Sequence, residues 1–196
     1  MERLLLREFV HRMNNEFASA ISAIAAAERR CDSVDAKAAM ASVRNRLIGH
    51  ANVQQFLRMP DYTTTIDLAA YLHQLCRAIS ESKLAGEGIG LSLALFPLKM
   101  RSDRCWLLGM IVFELITNAA RHAFRNKANR EIRLTVILAD RSIACSITDN
   151  GECDGGSSPG RGIAIVEALA ATLKGTVDMQ FGRSGSTITV NVPVAE

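Results

Sequence analysis

Apolar residues recur at helical spacing from the start of the chain. Leu6, Val10, Met13, Phe17, Ile21 and Ile24 fall three or four apart, and neither Gly nor Pro interrupts residues 2–30. The pattern predicts one long helix with a single apolar stripe. Cys31-Asp32-Ser33 supplies a turn and a capping residue. A second helix is predicted over 35–58, with Met40, Val43, Leu47 and Ala51 on one side and Pro60 closing it. Two helices with so short a connection make an antiparallel hairpin. A lone hairpin cannot cover its own stripe, so it packs on a second copy or on the rest of the chain; two copies would form a four-helix bundle.

The periodicity changes after Pro60. Thr63-Thr64-Thr65 and Asp67 read as capping residues before a helix over 67–84, and Gly86, Gly88 and Gly90 punctuate a loop. Residues 89–96 read as a strand. Asp103 can cap a strongly apolar helix over 104–124. Residues 132–138 and 142–148 alternate as paired strands about a turn at Ala139-Asp140. A Gly-rich loop over 150–162 leads into a helix ending near Leu173, and strands over 176–181 and 187–192 close the chain around 183–185. The second region therefore predicts about three helices and five largely antiparallel strands, an α/β sandwich with its helices on one face.

The chain has 196 residues, 48% of them hydrophobic and 22% charged, a globular balance. The apolar window 105–113 stops at Glu114 and is too short to span a bilayer, and residues 1–10 lack the run of a secretory signal. Five cysteines, odd in number and without a CxxC pair, argue against a disulfide framework or zinc site; they read as small core residues in a reducing cytoplasm. The net charge of +3 sits wholly in residues 1–59, which hold nine Lys/Arg against six Asp/Glu. That excess is far below a nucleic-acid footprint. Arg outnumbers Lys 18 to 5, so the positive charge is mostly of the forked kind that grips carboxylates and phosphates.

Three groups of residues carry candidate chemistry. His11, in His11-Arg12-Met13-Asn14-Asn15, falls roughly 120° from the centre of the apolar stripe, on its flank. Alone it reads first as a surface histidine and second as a nucleophile able to carry a phosphoryl group. Glu114, Asn118 and Arg121 stand at i, i+4 and i+7 on one face of a very apolar helix. They make either a salt-bridged surface or a line suited to hydrated Mg²⁺ and a phosphate. Asp149-Asn150-Gly151 ends a strand at a loop mouth, and Gly160-Arg161-Gly162 opens a helix, where backbone amides can meet an anion. Either could also be plain turn chemistry.

The order of these groups resembles the sensor histidine kinases, in particular the HWE-like group with an H-R-x-x-N phosphoacceptor box. His11 to Asn15 matches that box, the stretch 114–124 the N box, Asp149-Asn150-Gly151 the D box, Gly160-Arg161-Gly162 the G box, and Gly185-Ser186-Thr187 the last hairpin. Cys153 stands where a second D-box glycine is usual, and Asn14 and Glu16 depart from the usual lysine and amide. The resemblance implies an α+β chain: residues 1–59 a dimerising helical hairpin in a four-helix bundle, and residues 60–196 a Bergerat-type (GHKL) ATP-binding domain. It implies ATP and Mg²⁺, with His11 as phosphoacceptor, Glu114 catalytic, and Asn118 on the metal. The nucleotide site would also take in Arg121, His122, Asp149, Gly151, Gly160, Arg161 and Gly162. The implied partners are a second copy and a response regulator receiver domain, with no nucleic acid and no membrane insertion. A histidine phosphotransferase relaying through His11 is the second reading; an ATPase or protein kinase of the same superfamily without phosphohistidine is the third, against which the hairpin stands.

Overall fold

A computed structural model describes residues 2–58, 60, 63–124, 127–152 and 161–194, with side chains from residue 15 onward other than that of residue 161. Helices α1 (Glu2–Arg30) and α2 (Val34–Phe56) pack antiparallel across the expected turn. The Ser33 hydroxyl accepts the Ala36 N–H at 3.3 Å, and Asp35 favours the positive end of the α2 dipole. Arg44 of α2 pairs with Glu28 of α1 at 2.5 Å. The last carbonyls of α2, which have no partner within the helix, are met from the rest of the chain. Tyr71 donates its hydroxyl to Phe56 O at 3.0 Å, and Trp106 donates Nε1–H to Leu57 O at 2.8 Å.

Strand β1 (Thr65–Asp67) then pairs antiparallel with β3 (Lys99–Arg101). Neither short strand was legible, because three residues carry no measurable alternation. Thr65 therefore belongs to a strand; of the expected capping residues Asp67 takes the role, accepting the Ala70 N–H at 2.9 Å ahead of α3 (Leu68–Ile79). The helix does continue towards residue 84, but as a π turn over Ser80–Leu84 followed by a 3₁₀ turn over Ala85–Glu87. Ser82 donates its hydroxyl back to Ala78 O at 2.7 Å and lies within 3.3 Å of Ile79 O, the kind of side-chain insertion that distorts a helix.

Strand β2 (Ile89–Leu95) leads through β3 into α4 (Ser102–His122). Asp103 does not cap α4. The helix starts at Ser102, two residues earlier than expected, where the Ser102 N–H is held by Thr64 O at 2.7 Å and its hydroxyl accepts the Thr64 N–H at 3.1 Å. Asp103 lies inside the first turn, where the Arg101 guanidinium at 2.8 Å holds its carboxyl below the usual range. Strands β4 (Arg130–Ala139) and β5 (Ser142–Asp149) meet at a two-residue turn of Asp140 (φ 46°) and Arg141 (φ 75°), one residue later than expected. Helix α5 (Arg161–Thr172) and strands β6 (Thr176–Gly182) and β7 (Gly185–Pro193) complete the chain.

The main sheet runs β2-β4-β5-β7-β6. It is antiparallel except for β2–β4, which are parallel because α4 lies between them and returns the chain to the same end. Register lays one apolar face across all five strands. Leu93, Leu134 and Ile147 face together, as do Val136, Cys145, Val190 and Val177. The helices cover that face, and Leu72, Leu75, Ile79, Leu108, Ile111, Leu115, Val166 and Leu173 fill the core. The other face carries polar pairs such as Ser146–Thr189 at 2.9 Å. Cys76, Cys105 and Cys145 are core residues, as expected, and burial pushes each thiol up to about 12. Among the described residues, no helix is long and apolar enough to cross a membrane.

Candidate active site

Asp149 is the last residue of β5, and the strand period that turns Cys145 and Ile147 toward the helices turns Asp149 the same way. It is 8% exposed. Its Oδ1 accepts the Gly151 N–H at 2.8 Å. Ser186, directly opposite on β7, also donates to it. Burial raises the Asp149 pKa, while these donors and the charge of Lys127 pull it back down. Gly185, at φ 140°, leaves no room for a Cβ against the Asp149 carbonyl.

Asn150 and Gly151 lie where the chain passes the end of α4. Asn150 bridges to β4 by accepting the Glu131 N–H at 2.9 Å, and Lys127 donates to the Asn150 carbonyl. A Cβ at Gly151 would overlap the Ala123 carbonyl, and Glu152 N–H donates to that same carbonyl at 3.0 Å. On the neighbouring side α5 begins against α4. A Cβ at Gly162 would overlap the Asn118 amide. The end of β5, the C-terminal half of α4 and the first turn of α5 therefore converge.

Glu114 and Asn118 are half-buried on α4, while Arg121 and His122 reach solvent. The Asn118 amide lies against Gly162, and Glu114 stands one turn earlier on α4. His11 lies on α1, with its side chain outside the described set. Counted out from the turn, it stands nineteen residues before Arg30, as Val53 stands nineteen after Val34. Equal rise brings His11 level with Val53, about 28 Å from the turn. Val53 is 2% exposed, buried in the core that α2 shares with α3 and α4. Gly160 lies outside the described residues; Arg161 is described in backbone alone, as the first residue of α5.

Residues 8–83 match a family described as histidine kinase, and residues 69–191 match one described as histidine kinase-like ATPase domain. The chain belongs to the histidine kinase family. It is 24% identical over 138 residues to blue-light-activated histidine kinase 2 of Erythrobacter litoralis, a match covering 67% of this chain and 39% of that protein. The chain thus spans well under half of that relative. Its fold is that of the histidine kinase domain of the Erythrobacter litoralis blue-light-activated kinase EL346. That likeness has TM-score 0.63 and 19% identity, and covers 92% of this chain and 94% of the other. The Acinetobacter baumannii histidine kinase AdeS gives TM-score 0.58 at 18% identity, covering 95% and 98%.

Measured against the family's motifs, the N, D and G segments are adjacent in this histidine kinase fold. Several contributors escaped sequence reasoning. Ala123, Lys127 and Ser186 act through a carbonyl, a long side chain and a strand register, none of which leaves a motif. Tyr71 and Trp106 could have been suspected, since a half-buried aromatic with a polar tip needs a partner.

Proposed function

We propose that this chain is the catalytic core of a two-component histidine kinase. It phosphorylates His11 with ATP and Mg²⁺ and passes the phosphoryl group to an aspartate of a response regulator receiver domain. The observation that carries this reading is the convergence of Asp149-Gly151, Asn118 and Gly162 at one end of α4. The residues fit a nucleotide: a buried carboxylate at a strand mouth, and two glycines whose missing side chains bring backbone close to a carbonyl and an amide.

When bound, ATP·Mg²⁺ supplies the phosphoryl group with part of its charge neutralised. Asp149 accepts from the adenine amine, and Gly151 lets the base approach. Asn118 holds Mg²⁺. By the family resemblance Arg121, His122, Gly160, Arg161 and Gly162 would complete the phosphate site, and the start of α5 suits an anion. The His11 imidazole would supply the electron pair for the new N–P bond as the P–O bond to ADP breaks, and Glu114 would orient a water at the Mg²⁺ site or assist proton removal. Positioning and charge stabilisation do most of the catalysis. The chain acts as a cytoplasmic homodimer joined through residues 1–59, and the basic excess on that hairpin steers the acidic pocket of the regulator to it.

Incubation with γ-labelled ATP and Mg²⁺ is expected to give an acid-labile, base-stable label that His11→Ala abolishes. No label on the unaltered chain, together with label received from a phosphorylated regulator, would replace this reading with that of a phosphotransferase.

A further inference from the structure

Lys83 lies outside every motif discussed so far. It belongs to the π turn, next to Ser82, whose Cβ a methyl at Gly49 of α2 would meet at 2.7 Å. Its Nζ stands 5.6 Å from the centroid of the Phe113 ring on α4, one residue before Glu114. A ring face attracts an ammonium at that distance. Arg121 and Glu114 of α4 both act on Lys83, and Lys83 acts with Arg46 on His50 of α2. Three cations, Arg46, Lys83 and Arg121, thus share this junction with Glu114. Among the described residues no carboxylate comes within 4.0 Å of Lys83. A half-buried ammonium without a paired carboxylate is costly, and burial together with Arg121 holds its pKa below the ordinary lysine value. Such an excess, gathered where three elements meet, favours a multiply charged anion.

The position agrees with that chemistry. On α4, Lys83 lies over the Phe113 ring, one residue from Glu114, with Asn118 one turn further along the helix. On the α2 side its neighbour Ser82 abuts Gly49, which precedes His50 and lies one turn from Val53, the level of His11. Lys83 therefore sits at the seam of the π turn with α2 and α4.

We propose that Lys83 is a catalytic residue whose ammonium contacts the terminal phosphoryl group as that group passes from nucleotide to His11. The assignment rests on the ATP-dependent kinase reading above. In the step, the His11 nitrogen lone pair forms the N–P bond while the P–O bond to the departing ADP breaks, its electron pair leaving with ADP. Lys83 keeps its proton throughout and donates a hydrogen bond to a non-bridging phosphoryl oxygen.

The test compares calorimetric affinities of the full chain for a non-hydrolysable ATP analogue and for ADP, each with Mg²⁺. Lys83→Gln is expected to weaken the ATP analogue by about tenfold or more, the loss of one charge-assisted hydrogen bond. It should leave ADP within about twofold, and Lys83→Arg should restore most of the difference. If Lys83→Gln fails to fold, Lys83→Met, which keeps the stem over Phe113, carries the same comparison. Equal weakening of both ligands, or no weakening of either, would overturn the proposal. If the unaltered chain binds neither nucleotide, the kinase reading fails and this role with it; if it binds both and the variants keep its preference, only the role of Lys83 falls.

Discussion

Asp149 shows how a single residue can be worse for stability than its replacement and still be retained. Its carboxylate is buried at a strand end, where desolvation raises its pKa more than Gly151, Ser186 and Lys127 lower it. A folded-state pKa above the unfolded value means that the native state binds the proton more readily. The resulting stability is complete below the unfolded value of 3.8 and is lost as pH rises through the folded value. Asn at this position keeps an oxygen for Gly151 N–H without the charge. Asp149→Asn should therefore melt at or above the parent temperature near neutral pH, with a flatter dependence as pH rises above 3.8. It should also bind adenine nucleotide at least tenfold more weakly, about 1.4 kcal/mol. Thermal melts across pH and a calorimetric titration check both halves; a lower melting temperature at neutral pH would contradict the desolvation argument. Gly162 poses the converse case. Its missing Cβ leaves space for the Asn118 amide, the movable end of a side chain. Gly162→Ala should displace that amide and weaken Mg²⁺-nucleotide binding by about tenfold, while the better helix former keeps the melting temperature from falling.

At the scale of elements, α2 belongs to two assemblies. It packs on α1, and its last turn is fastened by Tyr71 and Trp106 to α3 and α4. The π turn Ser80–Leu84 presses Ser82 onto Gly49, where an added Cβ would lie 2.7 Å from Ser82 Cβ and 2.9 Å from its Cα. Backbone cannot retreat as an amide can. Gly49→Ala should cost about 1–2 kcal/mol by overpacking, despite the gain of up to about 1 kcal/mol that Ala brings to a helix interior. Urea denaturation measures the balance, and an unchanged or raised midpoint would show that the π turn yields. The helical stretch to residue 84 was readable because its apolar period persists. The π geometry was not, because it depends on Ser82 turning back to its own helix and on Gly49, far upstream in another element.

For the whole molecule, the hairpin remains incompletely covered. Val43 is 50% exposed and Ile48 37%, and Phe17, Ile21 and Ile24 are only half-buried although the hairpin packs on the catalytic half of the chain. Covering that apolar surface with a second hairpin gives a closed symmetric assembly. Sedimentation equilibrium is expected to give a mass near twice 21.3 kDa, shifted toward monomer by Val43→Glu, which sets a charge into the seam. A folded monomer at all concentrations would leave the exposed stripe without this explanation.

Helix and strand periods, and the family resemblance of the N, D and G segments, could be read in the chain because they are local: each depends on neighbours within a turn or a strand. The hairpin and the five strands of the helix-covered sheet followed from such patterns, to within two residues at each end. The tertiary structure alone decided that β2 and β4 run parallel, that Asp103 does not cap α4, and that Ser186 faces Asp149. It also brought Lys83 to the face that bears Glu114 and Arg121. The physical reason is common to all four. Each depends on a contact between segments far apart in sequence, set by register and packing that no local period records.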